Sequence, residues 1–186
     1  MRTFVAIDIP SDIRLKIAEF INALRPGANN VRWTKPEAMH ITLKFLGEVT
    51  AAQLETIKMS LASVRADAPF DLTIEGAGCF PNERSPRVLW LGVEGGAALQ
   101  ELAERVEKCL QPLGFAKEDR PYSAHLTLGR VREPGEIVAV QKVLRQGKQL
   151  AFGSFTANQF FLYESRPSAG GSLYLKLAGF EISPGR

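Results

Sequence analysis

HITLKFLG, residues 40–47, and HLTLGR, residues 125–130, carry the only two histidines of the chain, and comparing them decides how the molecule is built. Each stretch reads as a half-buried strand. In the first, Ile41, Leu43 and Phe45 alternate with His40, Thr42 and Lys44; in the second, Leu126 and Leu128 alternate with His125 and Thr127. Residues i and i+2 of a strand lie on one face, roughly 6.6 Å apart. His40 and Thr42 therefore share a face, with the apolar set turned to a core behind it, and His125 and Thr127 are arranged alike. Lys44 has the parity to extend the first polar face; its alternative is a solvated strand end.

The histidines are 85 residues apart, and a shift by that interval superposes more than the motifs. Pro36 falls on Pro121, Thr42 on Thr127, Leu43 on Leu128, Arg2 on Arg87 and Phe70 on Phe155. The intervening stretches follow one plan. TFVAIDI (3–9) reads as a buried strand, and a helix follows from an N-cap at Ser11 with Ile13, Ile17, Ile21 and Leu24 on one stripe, ended by Pro26-Gly27. Thr50 and Gln53 form a capping-box pattern ahead of Leu54, Ile57, Leu61 and Val64. In the second half Leu99, Leu102, Val106 and Leu110 line one helix, and Pro134 opens another that carries Ile137, Val140 and Leu144. FDLTIEGAGCF (70–80), RVLWLGVE (87–94) and the stretches around AFGSF, NQFFLY and SLYLKLAGF read as strands.

The expected fold class is thus α+β, a single bilobal domain over residues 1–186 with an internal repeat of roughly 1–86 and 87–186. Its two pseudo-twofold related lobes each have an antiparallel sheet and outer helices around a central cleft. A lobe of about 85 residues buries little surface alone, so the two pack together.

Composition sets the outer limits. The chain has 186 residues, 45% of them apolar and 23% charged, as expected of an ordinary globular protein. The formal charge of +3 leans toward anionic partners. Cys79 and Cys109 form no CxxC pair and fall in a strand and a helix, which fits reduced structural thiols in the cytoplasm. The N-terminal apolar run is too short for a secretory signal, and no run approaches membrane-spanning length, so a soluble monomer with no membrane partner is expected.

If the two polar faces meet across the cleft, it holds two imidazoles and two hydroxyls. That set suits phosphoryl chemistry. A neutral imidazole takes a proton from attacking water while a protonated one gives a proton to the leaving alkoxide, each step contributing on the order of 10²- to 10⁴-fold. Threonine hydroxyls donate to non-bridging phosphate oxygens, where charge develops. Neither metal nor cofactor is needed. Zinc takes three or four protein ligands, and no cysteine or carboxylate stands at a recognisable ligand spacing beside the two histidines.

Both motifs, HITL and HLTL, fit the His-x-Thr-x pattern, and the chain resembles the two-histidine phosphoesterase superfamily. It resembles in particular the branch of RNA 2',3'-cyclic phosphodiesterases, also called 2'-5' RNA ligases. MRTFVAIDIP, VRWTKPEAMHITLKFLGEV, FPNERSPRVLWLGV and FFLYESRPSAGGSLY carry that resemblance across nearly the whole chain. It implies a hydrolase acting on RNA with a 2',3'-cyclic phosphate end to leave a 2'-phosphomonoester, with reversible ATP-independent 2'-5' ligation as the related reaction. By the match of motifs, His40 is the proton donor and His125 the proton acceptor, while Thr42 and Thr127 hold the phosphate. Left open are a phosphodiesterase for small nucleotide or ADP-ribose cyclic phosphates and a non-catalytic RNA-end binder.

Arg130 stands in this branch where a phosphate contact is expected, yet its parity opposes that of His125 and Thr127. A bulge at Gly129 would re-aim it. Arg84, Arg87, Arg120, Arg132 and Arg166 are candidates for a phosphate-tracking rim. Phe80, Trp33 and Tyr122 are candidate stacking rings, with core packing favoured for Trp33 and Trp90.

Overall fold

The structure, a computed structural model, describes residues 1–132, 138–168 and 171–184. The helix start expected at Pro134, with Ile137, lies outside the described residues.

Two antiparallel sheets make up the molecule. One has the strand order β3-β1-β8-β9, built from β1 (Arg2–Asp8), β3 (His40–Glu48), β8 (Gln159–Ser168) and β9 (Gly171–Glu181). The other runs β2-β6-β5-β4-β7, from β2 (Val31–Trp33), β4 (Phe70–Phe80), β5 (Val88–Glu94), β6 (His125–Val131) and β7 (Ala151–Ala157). The halves of the sequence do not coincide with the sheets. β2 and β4 cross from the first half to join β5, β6 and β7, while β8 and β9 cross from the second half to join β1 and β3. Each sheet thus contains two strands lent by the other half, and β3 lies against β6 where the sheets meet.

Among the described residues four α-helices cover the sheets: α1 (Ser11–Leu24), α2 (Ala51–Ala62), α3 (Gly96–Leu110) and α4 (Val138–Gln146). α1 and α4 pack on β7 and β4, and α2 and α3 on β9 and β3. Their buried residues are those of the apolar stripes: Ile13, Ile17, Ile21 and Leu24 on α1, Ile57 and Leu61 on α2, and Leu99, Leu102, Val106 and Leu110 on α3. All join one core cluster that takes residues from both sheets. The Thr50–Gln53 capping box is formed reciprocally. At α1, by contrast, Ser11 is the first helical residue, Pro10 occupies the cap position, and no side chain caps the helix. Proline there pre-sets its own φ for a chain about to turn, which replaces the expected serine cap.

Alternation in β3 fails after Thr42. Ala6 pairs with Thr42 but Val5 pairs with Lys44, so Leu43 is an extra, bulged residue. From that point the faces exchange. Lys44, expected in the cleft or in solvent, is 3% exposed, and Phe45, expected in the core, is 63% exposed.

The inward Lys44 ammonium has its charge answered. Its Nζ donates to Glu107 Oε1 at 3.1 Å and to the Ala116 carbonyl at 2.9 Å, with a Glu118 carboxylate oxygen at 3.6 Å. Burial pushes the Glu107 carboxyl up, but the Glu118 N–H and the Lys44 ammonium outweigh it and leave the group below its ordinary value. These contacts tie β3 to α3 and to the segment leading into β6. Removing one partner strands a buried charge. Lys44→Met is expected to lower stability by about 3 kcal/mol, and Lys44→Met with Glu107→Leu to recover at least half of that; urea unfolding of the two variants and wild type measures both.

Candidate active site

β3 and β6 each begin with their histidine, and the two rings are held alike. His125 Nδ1 lies 2.9 Å from the Ser123 carbonyl, and the carbonyl of Ala38 hydrogen-bonds the His40 ring. Ser123 and Ala38 are themselves one repeat interval apart. A ring anchored through one nitrogen keeps the other available to a ligand. Thr42 and Thr127 follow on the same faces, both half-buried. The Tyr122 hydroxyl donates to the Thr42 carbonyl at 3.0 Å and so ties the segment before β6 to the first motif.

The bulge recurs in β6. Trp90 pairs with Thr127 but Leu89 pairs with Gly129 and Val88 with Arg130, leaving Leu128 as the extra residue, one interval on from Leu43. The consequence for Arg130 is direct: the register returns it to the face of Thr127, and its side chain is exposed. Gly129 takes the inward position, where a Cβ would run into Val31 and the Trp33 ring.

The two histidines differ in surroundings. His40 stacks on Phe4 with ring centroids 4.5 Å apart, meets Tyr174 edge-on at 5.0 Å and has Tyr163 at 6.2 Å. His125 has an edge contact with Phe80 at 5.2 Å. Opposite His40 in register stands Asp8, which accepts a hydrogen bond from the Tyr163 hydroxyl and forms an ion pair with Lys176 at 2.5 Å; opposite His125 stands Gly92. Burial in the aromatic nest lowers the His40 pKa to about 4, with the nearby Arg14 pushing the same way and the Ala38 carbonyl and Asp8 opposing.

Phe4, Asp8, Tyr163, Tyr174 and Lys176 are functional neighbours that the sequence reading missed. Alternation within TFVAIDI, applied after the pairing of β1 with β3 is known, puts Phe4, Ala6 and Asp8 on the face of His40. Of the candidate stacking rings, Tyr122 serves as the strut just described. Trp33 packs on the core. Trp90 shares the Thr127 face and lies against Phe80, over Gly78, and thus belongs to the cleft side of its sheet where core packing was expected. Phe80 remains beside His125. Among the rim arginines Arg84, Arg87, Arg120 and Arg132 are exposed, and Arg166 is tied to Glu164 at 2.8 Å. Among the described residues no group of three or more His, Cys, Asp or Glu is placed to hold a metal ion. No described helix is long and apolar enough to cross a membrane.

The family model for LigT-like phosphoesterases matches the chain twice, over residues 7–90 and 91–174. The chain belongs to this family. One match contains each histidine motif. A LigT-like relative from Archaeoglobus fulgidus, named RNA 2',3'-cyclic phosphodiesterase, is 39% identical over 97% of this chain and 100% of its own length. Two solved structures share the architecture. A Thermus thermophilus protein superposes with a TM-score of 0.82 at 27% identity over 100% of both chains. Escherichia coli LigT, solved with 3'-AMP, superposes with a TM-score of 0.80 at 29% identity over 97% of each.

The desolvated, half-buried His40 makes stability depend on pH. Its pKa is about 4 when folded and about 6.5 when exposed, so between these values the unfolded chain takes up a proton that the folded chain refuses. Stability is lost as pH falls through that window, by on the order of 3 kcal/mol in full. His40→Phe, which keeps a ring in the nest, should flatten this part of the profile when urea midpoints are followed from pH 7.5 to 4.5.

Proposed function

We propose that the chain is a phosphodiesterase that opens the terminal ribose 2',3'-cyclic phosphate of RNA to a 2'-phosphomonoester. The observation that carries this reading is the pair of carbonyl-anchored histidines, each with a threonine on its face, on the two strands at the junction of the sheets. Membership in the LigT-like family, and the activity named for the Archaeoglobus fulgidus relative, support the choice of substrate.

His125 accepts a proton from water as the oxygen attacks phosphorus. The bond from phosphorus to the ribose 3'-oxygen breaks, and His40 gives that oxygen a proton. The Thr42 and Thr127 hydroxyls donate to the non-bridging oxygens as their charge grows, and Arg130 adds a cation to the bound phosphate chain. The unequal surroundings of the rings suit unequal roles. In the free protein burial keeps His40 neutral; a phosphate anion in the cleft, with Asp8 behind the ring, favours the imidazolium. Substrate binding thus charges the acid, and once charged it gives up its proton readily. A 5'-hydroxyl in place of water would form a 2'-5' diester by the same path, without ATP. Both motifs come from one chain, which suits a monomer, and the free thiols Cys79 and Cys109 suit the cytoplasm.

An oligoribonucleotide ending in 2',3'-cyclic phosphate, incubated in EDTA, is expected to yield a 2'-phosphate end. His40→Ala and His125→Ala should each lower kcat/KM by about 10³ or more, and Thr42→Val or Thr127→Val by about 10-fold or more. A 3'-phosphate product, a need for added metal, or turnover confined to mononucleotides would overturn the reading, as would tight binding of RNA ends without turnover.

A further inference from the structure

Arg32 and Arg130 stand directly opposite each other in the β2–β6 pair, and both are exposed. Like charges at facing positions of a sheet repel. Among the described residues neither guanidinium has a hydrogen bond or ion pair to offset this. The contrast with other arginines is plain: Arg166 is matched by Glu164, and Arg105 by Glu101 and Asp67.

The position of the pair is as telling as its charge. The bulge at Leu128 sets Arg130 on the Thr127 face, two partner residues along β5 from Trp90 to Val88, or about 6.6 Å beyond Thr127. Arg32 lies one strand spacing outward on the same face. Its Nη2 reaches the start of β9 in the other sheet, since a Cβ built on Gly171 would sit 3.5 Å from it. The guanidinium therefore reaches from the β2 edge of one sheet to the start of β9 in the other, one strand out from Arg130 and on the face of Thr127.

We propose that Arg32 and Arg130 form a second anion seat, which takes the 5'-phosphate of the terminal nucleotide while its cyclic phosphate lies between the histidines. The proposal rests on the activity proposed above and deepens it. A nucleoside 2',3'-cyclic phosphate fills only the catalytic position; an RNA end fills both, because its terminal 5'-phosphate is the diester to the preceding nucleotide. Two cations facing one anion turn the repulsion between them into substrate selection, and they make length recognition independent of base.

The test compares three substrates in EDTA: a nucleoside 2',3'-cyclic phosphate, the same compound with a 5'-phosphate, and a dinucleotide ending in the cyclic phosphate. Wild type should prefer the second and third. In Arg32→Ala the ratio of kcat/KM for the dinucleotide to that for the nucleoside compound should fall about 10-fold or more, with Arg32→Lys retaining part of it and Arg32→Glu losing more. The slope of log KM against log salt for the dinucleotide should shrink by about 0.7. A ratio within twofold of wild type, or equal losses on all three substrates, overturns the seat. If only the 5'-phosphorylated nucleoside is preferred, the seat takes a monoester and the assignment to an RNA diester is overturned. Calorimetric binding separates this from failure of the activity itself. Wild type should bind adenosine 2',5'-bisphosphate more tightly than adenosine 2'-monophosphate, and Arg32→Ala should abolish that preference, whether or not any cyclic phosphate is turned over.

Discussion

The paired bulges at Leu43 and Leu128 are the constraint on which the cleft depends. A regular strand offers one face to a ligand and keeps the same alternation to its end. An extra residue just after the threonine reverses the phase of each motif strand from a first stretch to a second, and β3 shifts once more at Leu46, between Phe45 and Gly47. In the first stretch histidine and threonine face the cleft. In the second, the residue that alternation would send inward is turned out, and so Phe45 and Arg130 join the cleft face. The inward position just after the bulge is then filled in two ways. In β3 it holds Lys44, which requires Glu107 and the Ala116 carbonyl as partners; in β6 it holds Gly129, because Val31 and Trp33 leave no room for a side chain.

Near-symmetry in the backbone coexists with marked asymmetry in the side chains around it. The Ala38 and Ser123 carbonyls hold the two rings in the same way, yet one ring lies among Phe4, Tyr163 and Tyr174 and the other beside Phe80. Desolvation makes a proton on His40 costly. The Asp8 carboxylate, already engaged by Tyr163 and Lys176, steadies that nest. Two copies of a motif thereby acquire two chemical characters without any change in the motif itself.

Much of this is legible in the sequence because it depends on periodicity. The helical stripes, the capping box and the strand segments are local patterns, and the structure follows them closely. What stays hidden depends on pairing. Simple alternation sends Phe45 to the core and Lys44 to cleft or solvent, because it carries no sign of a bulge when the extra residue is an ordinary leucine. Arg130 is the exception, since the adjacent Gly129 points to a bulge. The aromatic nest escapes for the same reason: Tyr163 and Tyr174 lie more than a hundred residues from His40 and reach it only through the β1–β8 and β8–β9 pairings. The exchange of β2 and β4 for β8 and β9 between the halves is invisible too, because a repeat shows that two units are alike without showing which strands they trade.

That exchange governs when the site can exist. The hydrogen bond from Tyr163 to Asp8 joins residues 155 apart, and the sheet that carries His40 needs β8 beside β1 before it is complete. Contacts of this range form late, because most of the chain must be ordered before they close. During synthesis, the first motif emerges long before β8 and waits without the aromatic wall that shapes its histidine. Catalytic competence is therefore a property of the finished chain, and a ribosome-bound or truncated copy carries the motif without its setting.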